Sequence, residues 1–133
     1  MIKTVSKIFG EKIDETFNKD RKFKKSFSFE KRSEESTKII SKYPNRIPII
    51  VERGNNSIKQ IDRKKYLVPK DLTIGQFIFV IRQRMKLDES QSIYIFINGM
   101  IPTPSQFVFE IYEKHKDEDN FLYITYCAES TFG

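Results

Sequence analysis

Between Ile47 and Cys127 the apolar side chains fall into six short blocks whose period changes from one block to the next, and this order restricts the fold more than any other property of the chain. Ile47 to Glu52 is rich in Ile and Val and predicts a buried strand. Arg53-Gly54-Asn55-Asn56-Ser57 is turn chemistry, and Lys64 to Pro69 predicts a second strand that pairs with the first as a hairpin. Thr73 with Gln76 three residues later is a capping-box signature at the head of a helix over Ile74 to Met85. Ser92 to Ile97 predicts a third strand, Asn98-Gly99 a turn, Phe107 to Lys114 a short helix, and Phe121 to Cys127 a fourth strand. Strand, strand, helix, strand, short helix, strand is the order of an α+β β-grasp, a four-stranded mixed sheet over a central helix.

Helical periodicity adds detail. In the central helix Ile74, Ile78, Ile81 and Met85 share one azimuth and are expected to form the core stripe, whereas Phe77, Val80 and Arg84 share a neighbouring face with an apolar floor and a cation beside it. Ser33 before Glu34 and Glu35, with Lys38 and Lys42 at the far end, suits a helix macrodipole over 34–43, and Pro44 stops it. Asn18 to Lys25 reads as a basic linker into a short helix. Ahead of it, Ile2, Val5, Phe9, Ile13 and Phe17 recur at amphipathic spacing. Gly10 interrupts that pattern at about 1 kcal/mol of propensity, so the segment is expected to need a docking surface. Three roles stay open for it: a disordered tail, a helix docked on its own domain, or a membrane-contacting helix. Its polar face mixes Lys with Asp and Glu, which weakens the last.

Charge is unevenly spread. Residues 1–70 hold 19 Lys and Arg against 9 Asp and Glu, and residues 71–133 hold 5 against 9. The basic half is the expected recognition face, although Coulomb attraction alone does not separate nucleic acid, anionic lipid and acidic peptide. The longest apolar runs, Phe77 to Ile81 and Ile93 to Ile97, are far shorter than the roughly 18 residues needed to cross a bilayer. The first twenty residues alternate apolar and charged side chains, so no signal peptide is expected. The lone Cys127 supports no internal disulfide framework, and a reduced, cytosolic chain is the expectation.

An enzyme would have to rest on Cys127 and His115. His115 lies in the charged run Glu113-Lys114-His115-Lys116-Asp117 and Cys127 in a predicted core strand, so no catalytic residue is expected. Metal-ligand spacing, a phosphate loop and paired catalytic acids are all missing from the sequence, and no cofactor is expected. A rival reading is a basic nucleic-acid-binding module built on Lys22, Lys24 and Lys25 with Phe23 and Phe27 interleaved.

Four stretches carry a resemblance that pattern does not supply: F-E-K-R-S-E-E at 29–35, K-Y-P-N-R-I-P-I-I-V-E-R at 42–53, K-K-Y-L-V-P-K-D-L-T-I-G-Q-F at 64–77 and E-D-N-F-L-Y-I-T-Y-C-A-E-S-T-F-G at 118–133. From Lys22 onward the chain resembles the ubiquitin-like modifiers of autophagy, the group that includes the GABA-receptor-associated protein. The resemblance implies a ubiquitin-like β-grasp with extra N-terminal helices, and an organisation of amphipathic extension at 1–21, ubiquitin-like domain at 22–128 and flexible conjugation tail at 129–133. It implies a protein that catalyses nothing. Its C-terminal glycine, Gly133, would be activated by an E1-like enzyme, passed to an E2-like enzyme, joined to phosphatidylethanolamine and released by a deconjugating cysteine protease. Because the sequence finishes at this glycine, no prior proteolysis would be needed. Such a modifier is monomeric when free, is found in cytoplasm and on autophagosomal membranes, and recruits receptors through short aromatic-x-x-aliphatic motifs flanked by acidic residues.

Carried over residue by residue, the aromatic pocket maps onto Glu35, Ile39, Pro48, Ile50, Lys65, Leu67 and Phe121. The aliphatic pocket maps onto Tyr66, Val68, Pro69, Leu72, Phe77 and Val80, and Arg46, Lys64, Lys65 and Arg84 would meet acidic residues of the motif. By residue type alone Ile39, Ile50, Leu67 and Phe121 read as core and the cations as solvated surface; the resemblance shifts the apolar four toward pocket lining. Tyr66 and Leu67 are expected to be removable together without loss of the fold. Residues 1–21 have no match in short-tailed members, the loop Gly54 to Ile61 lacks their usual Ala-Pro, and Phe107 and Phe109 stand where relatives carry small or unbranched residues.

Overall fold

Ile47, Ile49 and Val51 alternate with Pro48, Ile50 and Glu52, and all six are buried in the computed structural model, which describes residues 22–56 and 58–128. A strand covered on both faces has to be central, and β1 (Arg46–Arg53) is: the sheet order is β2-β1-β4-β3, with β2 Lys65–Pro69, β3 Ile93–Phe96 and β4 Leu122–Ala128. β1 runs antiparallel to β2 and parallel to β4, and β3 is antiparallel to β4. The expected hairpin and mixed sheet are both present.

Four helices complete the described chain: α1 Phe23–Ser26, α2 Phe29–Lys42, α3 Ile74–Met85 and α4 Val108–His115. α3 begins at the anticipated box, Thr73 Oγ1 accepting from Gln76 N–H at 3.2 Å while Gln76 Oε1 accepts from Thr73 N–H at 2.9 Å. It covers one face of the sheet, where Ile47, Ile49, Val51, Tyr66, Val68 and Ile124 enter the main core cluster. On the other face Ile50 packs in a second cluster with Phe23 and Phe121. Asn98 and Gly99, at φ 51° and 79°, form the tight turn that lets Ile97 and Met100 exchange backbone hydrogen bonds of 2.8 and 3.0 Å.

Two expectations are corrected. α2 starts five residues earlier than the 34–43 reading, because Ser28 rather than Ser33 is the cap, its Oγ accepting from Lys31 N–H at 3.2 Å. In α3 the fully buried stripe is Ile74, Phe77, Ile81 and Met85; Ile78 is only partly buried, so Phe77 does not lie on a noncore face. Tyr66 on β2 meets Phe77 edge-on at 5.7 Å between ring centroids and covers that face of the helix. The amphipathic pattern over Ile2 to Phe17, residues 18–21 of the linker, Ser57 of the turn, and the tail with Gly133 lie outside the described residues.

Candidate functional site

Among the described residues β2 hydrogen-bonds to a strand on one side only, and its register with β1 pairs Ile50 with Lys65, Ile49 with Tyr66, Pro48 with Leu67, Ile47 with Val68 and Arg46 with Pro69. Alternation along this edge sends Lys65 and Leu67 to the face shared with Pro48 and Ile50, and Tyr66 and Val68 to the face covered by α3. An extended segment laid along β2 would therefore have one side-chain environment on each side of the sheet.

On the first side, Glu35 and Ile39 stand one turn apart on α2, and Lys65 Nζ lies 2.8 Å from Glu35 Oε2. The same ammonium is 5.5 Å from the Phe23 ring centroid and 5.6 Å from that of Phe27, an arrangement that offers both charge and ring-face stabilisation. Ile39 and Leu67 belong to the main core and Ile50 and Phe121 to the second cluster, so the residues mapped to the aromatic pocket are divided between two packing clusters. Leu67, Ile50 and Phe121 have no exposed surface.

On the second side, Tyr66, Val68 and Phe77 are likewise buried, while Pro69, Leu72 and Val80 remain partly exposed. Of the six residues mapped to the aliphatic pocket, only these last three offer surface to a ligand. The expectation that Tyr66 and Leu67 could be cut to Ala with the fold intact is corrected: at 1% and 0% exposure both carry core packing, and such losses cost about 2–5 kcal/mol each.

The four cations do not form one patch. Arg46 pairs in register with Pro69 at the far end of β2, its guanidinium 5.6 Å from the Tyr43 ring centroid, whereas Lys64 and Lys65 open the strand. Lys64 and Lys65 are largely buried, and Arg84 on α3 bonds Asp62 Oδ1 at 3.0 Å. Cations therefore bracket the edge at both ends.

Residues that pattern reading assigned elsewhere hold the first side together. Phe23, offered as a base-stacking platform, is 1% exposed and packs edge-on to Phe121 at 5.4 Å, so its ring is not presented to a nucleic-acid strand, while the exposed Lys24 is ion-paired with Asp117. Arg32 on α2 donates to Asp119 Oδ2 at 2.7 Å and to Phe27 O at 2.7 Å, and Asp119 Oδ1 accepts from Phe121 N–H at 2.9 Å. This buried network locks α2 to the start of β4; burial opposes the Arg32 charge most, but the Asp119 bond together with the nearby Tyr123 and Asp117 outweighs it and leaves the pKa raised. No local signal could reveal it, since Arg32 and Asp119 are far apart in sequence and each resembles surface charge.

His115 sits at the end of α4 with Nδ1 3.1 Å from Asn98 Nδ2. Cys127 is on β4, opposite Tyr94, and burial raises its thiol pKa with only partial compensation from Lys22. Among the described residues no three His, Cys, Asp or Glu side chains are grouped to hold a metal, and no helix is long and apolar enough to cross a membrane. Phe107 and Phe109 are both exposed and stack at 6.3 Å between ring centroids.

Comparison with known proteins gives a consistent result. Residues 31–133 match the family model described as autophagy protein Atg8, ubiquitin like. Autophagy-related protein 8 of Schizosaccharomyces pombe is 56% identical over 112 residues, which span 84% of this chain and 93% of that protein. The crystal structure of Trypanosoma brucei ATG8 superposes with a TM-score of 0.79 at 43% identity, covering 86% of this chain and 99% of that one. Plasmodium falciparum Atg8, solved in complex with a Plasmodium falciparum Atg3 peptide, superposes with a TM-score of 0.75 at 38% identity, covering 80% and 94%.

Proposed function

The chain belongs to the Atg8 family of ubiquitin-like autophagy proteins, and from that premise we propose that it is a modifier joined through Gly133 to phosphatidylethanolamine, which then recruits receptors to autophagosomal membranes. In this reading E1-like and E2-like enzymes charge the glycine, a cysteine protease removes it, and the free form is a cytoplasmic monomer. The modifier supplies a carboxylate and a docking edge, and the chemistry belongs to its enzymes.

The observation that carries the reading is the edge strand β2, unpaired on one side among the described residues, with Leu67 and Lys65 on one face and Tyr66 and Val68 on the other. A receptor segment adding to that edge would gain backbone hydrogen bonds, and its aromatic and aliphatic residues would enter opposite sides. The aromatic side chain would meet the Glu35, Ile39, Pro48, Ile50, Lys65, Leu67 and Phe121 side, and the aliphatic one the Tyr66, Val68, Pro69, Leu72, Phe77 and Val80 side. Acidic flanks would meet Lys64 and Lys65 at one end and Arg46 at the other, with Arg84 beside α3. The Plasmodium relative is held with a peptide of Atg3, which supports a short peptide as the kind of ligand this fold accepts.

The test is reconstitution with cognate E1-like and E2-like enzymes, ATP and phosphatidylethanolamine liposomes, followed by mass analysis of the C-terminus. Glycine has no β-carbon to obstruct adenylation and thioester transfer, so Gly133→Ala is expected to fold and bind receptor peptides yet conjugate poorly. A lipid adduct formed at parental yield after deletion of Gly133 would place the attachment elsewhere.

A further inference from the structure

A cavity of about 190 Å³ opens where the β1–β2 connection leaves the sheet, and the described residues around it are cationic or amide-bearing: Lys22, Arg53 and Lys64, with Asn55, Asn56 and Gln60. No Asp or Glu is among these described lining residues. Glu52, next to Arg53, directs its carboxylate away to Phe23 N–H at 2.7 Å. Lys64 is 6% exposed, so the wall includes a largely buried lysine. The positions are fixed by backbone: Lys22 Nζ donates to Arg53 O at 2.8 Å, and Arg53 Nη1 donates to Ile58 O at 3.0 Å.

The location matters as much as the charge. Parallel pairing sets Arg53 beside Tyr126, and Gly54 N–H donates to Tyr126 O at 2.8 Å, so the cavity lies at the end of the sheet from which β4 exits. Gly133 is five residues beyond Ala128, a contour of at most about 17 Å. A surface holding Gly133 is therefore held within reach of this cavity.

We propose that the cavity lined by Lys22, Arg53 and Lys64 is a binding site for a phosphate monoester presented by an anionic phospholipid headgroup. A monoester carries close to two negative charges and three acceptor oxygens, matching three cations that line one cavity better than a singly charged diester does. The lipid source rests on the conjugation reading above, whereas the phosphate chemistry rests on the cavity alone. The site would orient the tethered domain with the β1–β2 connection against the membrane and leave the β2 edge to peptides.

The full-length unconjugated protein is to be titrated with vesicles of phosphatidylcholine alone, vesicles carrying phosphatidylserine, vesicles carrying phosphatidylinositol monophosphate at matched charge, and soluble inositol bisphosphate. Expected are binding to the monoester vesicles about tenfold tighter than to the serine vesicles, and a further loss of about tenfold or more in Lys22→Gln/Arg53→Gln. Lys38→Gln/Lys42→Gln, which removes two exposed charges from α2, should lose less than about threefold. Lys22→Glu alone alters an exposed side chain and must show the same direction of loss should the Arg53 change disturb its loop. Equal losses in both double variants, or no preference for the monoester, would overturn the site. Binding of the soluble bisphosphate with no gain on vesicles would overturn the lipid source. Conjugation at Gly133 is scored separately by mass, so the two readings fail independently.

Discussion

Lys65 Nζ lies 2.8 Å from Glu35 Oε2, tying the open edge strand β2 to α2. An acidic residue arriving with a peptide would compete with Glu35 for this ammonium while being repelled by the same carboxylate. Glu35→Gln keeps an acceptor but removes the competing charge. It should strengthen peptides with an acidic residue ahead of the aromatic by roughly 0.5–1 kcal/mol, an advantage that shrinks as salt rises. Calorimetry at low and high ionic strength checks this, and a charge-neutralised peptide that gains equally would return Glu35 to a purely structural role.

Tyr66 separates stability from binding in a different way. Its hydroxyl is buried without a hydrogen-bond partner among the described residues, and burial, first, raises its pKa far above the ordinary phenol value. Removing an unsatisfied hydroxyl while keeping the ring against Phe77 should be neutral or stabilising by up to about 1 kcal/mol in Tyr66→Phe. Phe77→Ala, by contrast, empties the contact and should cost about 3–5 kcal/mol. Urea unfolding of both variants gives the answer, and a clear loss in Tyr66→Phe would reveal a partner for the hydroxyl.

Val80 is the better probe of the proposed groove because it is partly exposed, whereas Phe77 is fully buried. Val80→Asp places a charge where an aliphatic side chain is proposed to dock and should weaken aromatic-x-x-aliphatic peptides by about 2 kcal/mol. Its unfolding midpoint should stay near the parent's. Unchanged peptide affinity in the folded variant would remove α3 from the site.

The contrast between Val80 and Phe77 shows what the sequence could and could not reveal. Period, capping and turn chemistry are local, so the strands, the Thr73 box and the Asn98-Gly99 turn are legible from neighbouring residues. Azimuth around α3 is also local, but which azimuths are covered depends on what packs there from elsewhere in the chain, as Tyr66 does on Phe77. Ser28 and Ser33 are equivalent cap candidates by type; choosing between them required knowing that the turn of helix from Phe29 to Arg32 is held by Asp119, remote in sequence. The cavity behind Gly54 was illegible for the same reason, since it depends on β1 lying parallel to β4.

The Lys24 and Asp117 pair predicts acid behaviour. Partial burial opposes the Asp117 charge, but hydrogen bonds from Lys24 and from Asp119 N–H outweigh it and hold its pKa below the usual carboxylate value. A depressed folded pKa means that the unfolded chain binds more protons. The contribution is present above the unfolded pKa near 4 and is lost as pH falls through the folded value. Lys24→Met should therefore lower stability at pH 7 slightly and flatten its decline between about pH 5 and pH 3. Urea midpoints across that range would decide it, and parallel curves for parent and variant would show that Lys24 does not set the Asp117 titration.

Gly54 is required by close approach. A β-carbon built there would stand 2.5 Å from Cys127 Sγ, 2.8 Å from Thr125 Cγ2 and 3.3 Å from Tyr126 O, so the ends of β1 and β4 could not keep their spacing. Gly54→Ala should consequently cost about 1–3 kcal/mol through overpacking. Cys127→Ala removes the nearest obstacle, and because the half-buried thiol is otherwise a modest contributor it should cost less than about 1.5 kcal/mol alone. The two changes share one contact, so the double variant should be more stable than the sum of the single losses by about 0.5 kcal/mol or more. Full recovery is not expected, since Thr125 Cγ2 still meets the new methyl group. Denaturant unfolding of the four proteins in the cycle measures the coupling directly. Strict additivity would mean that the alanine acts on the backbone of the turn instead of on Cys127, and the close-approach account of this glycine would fail.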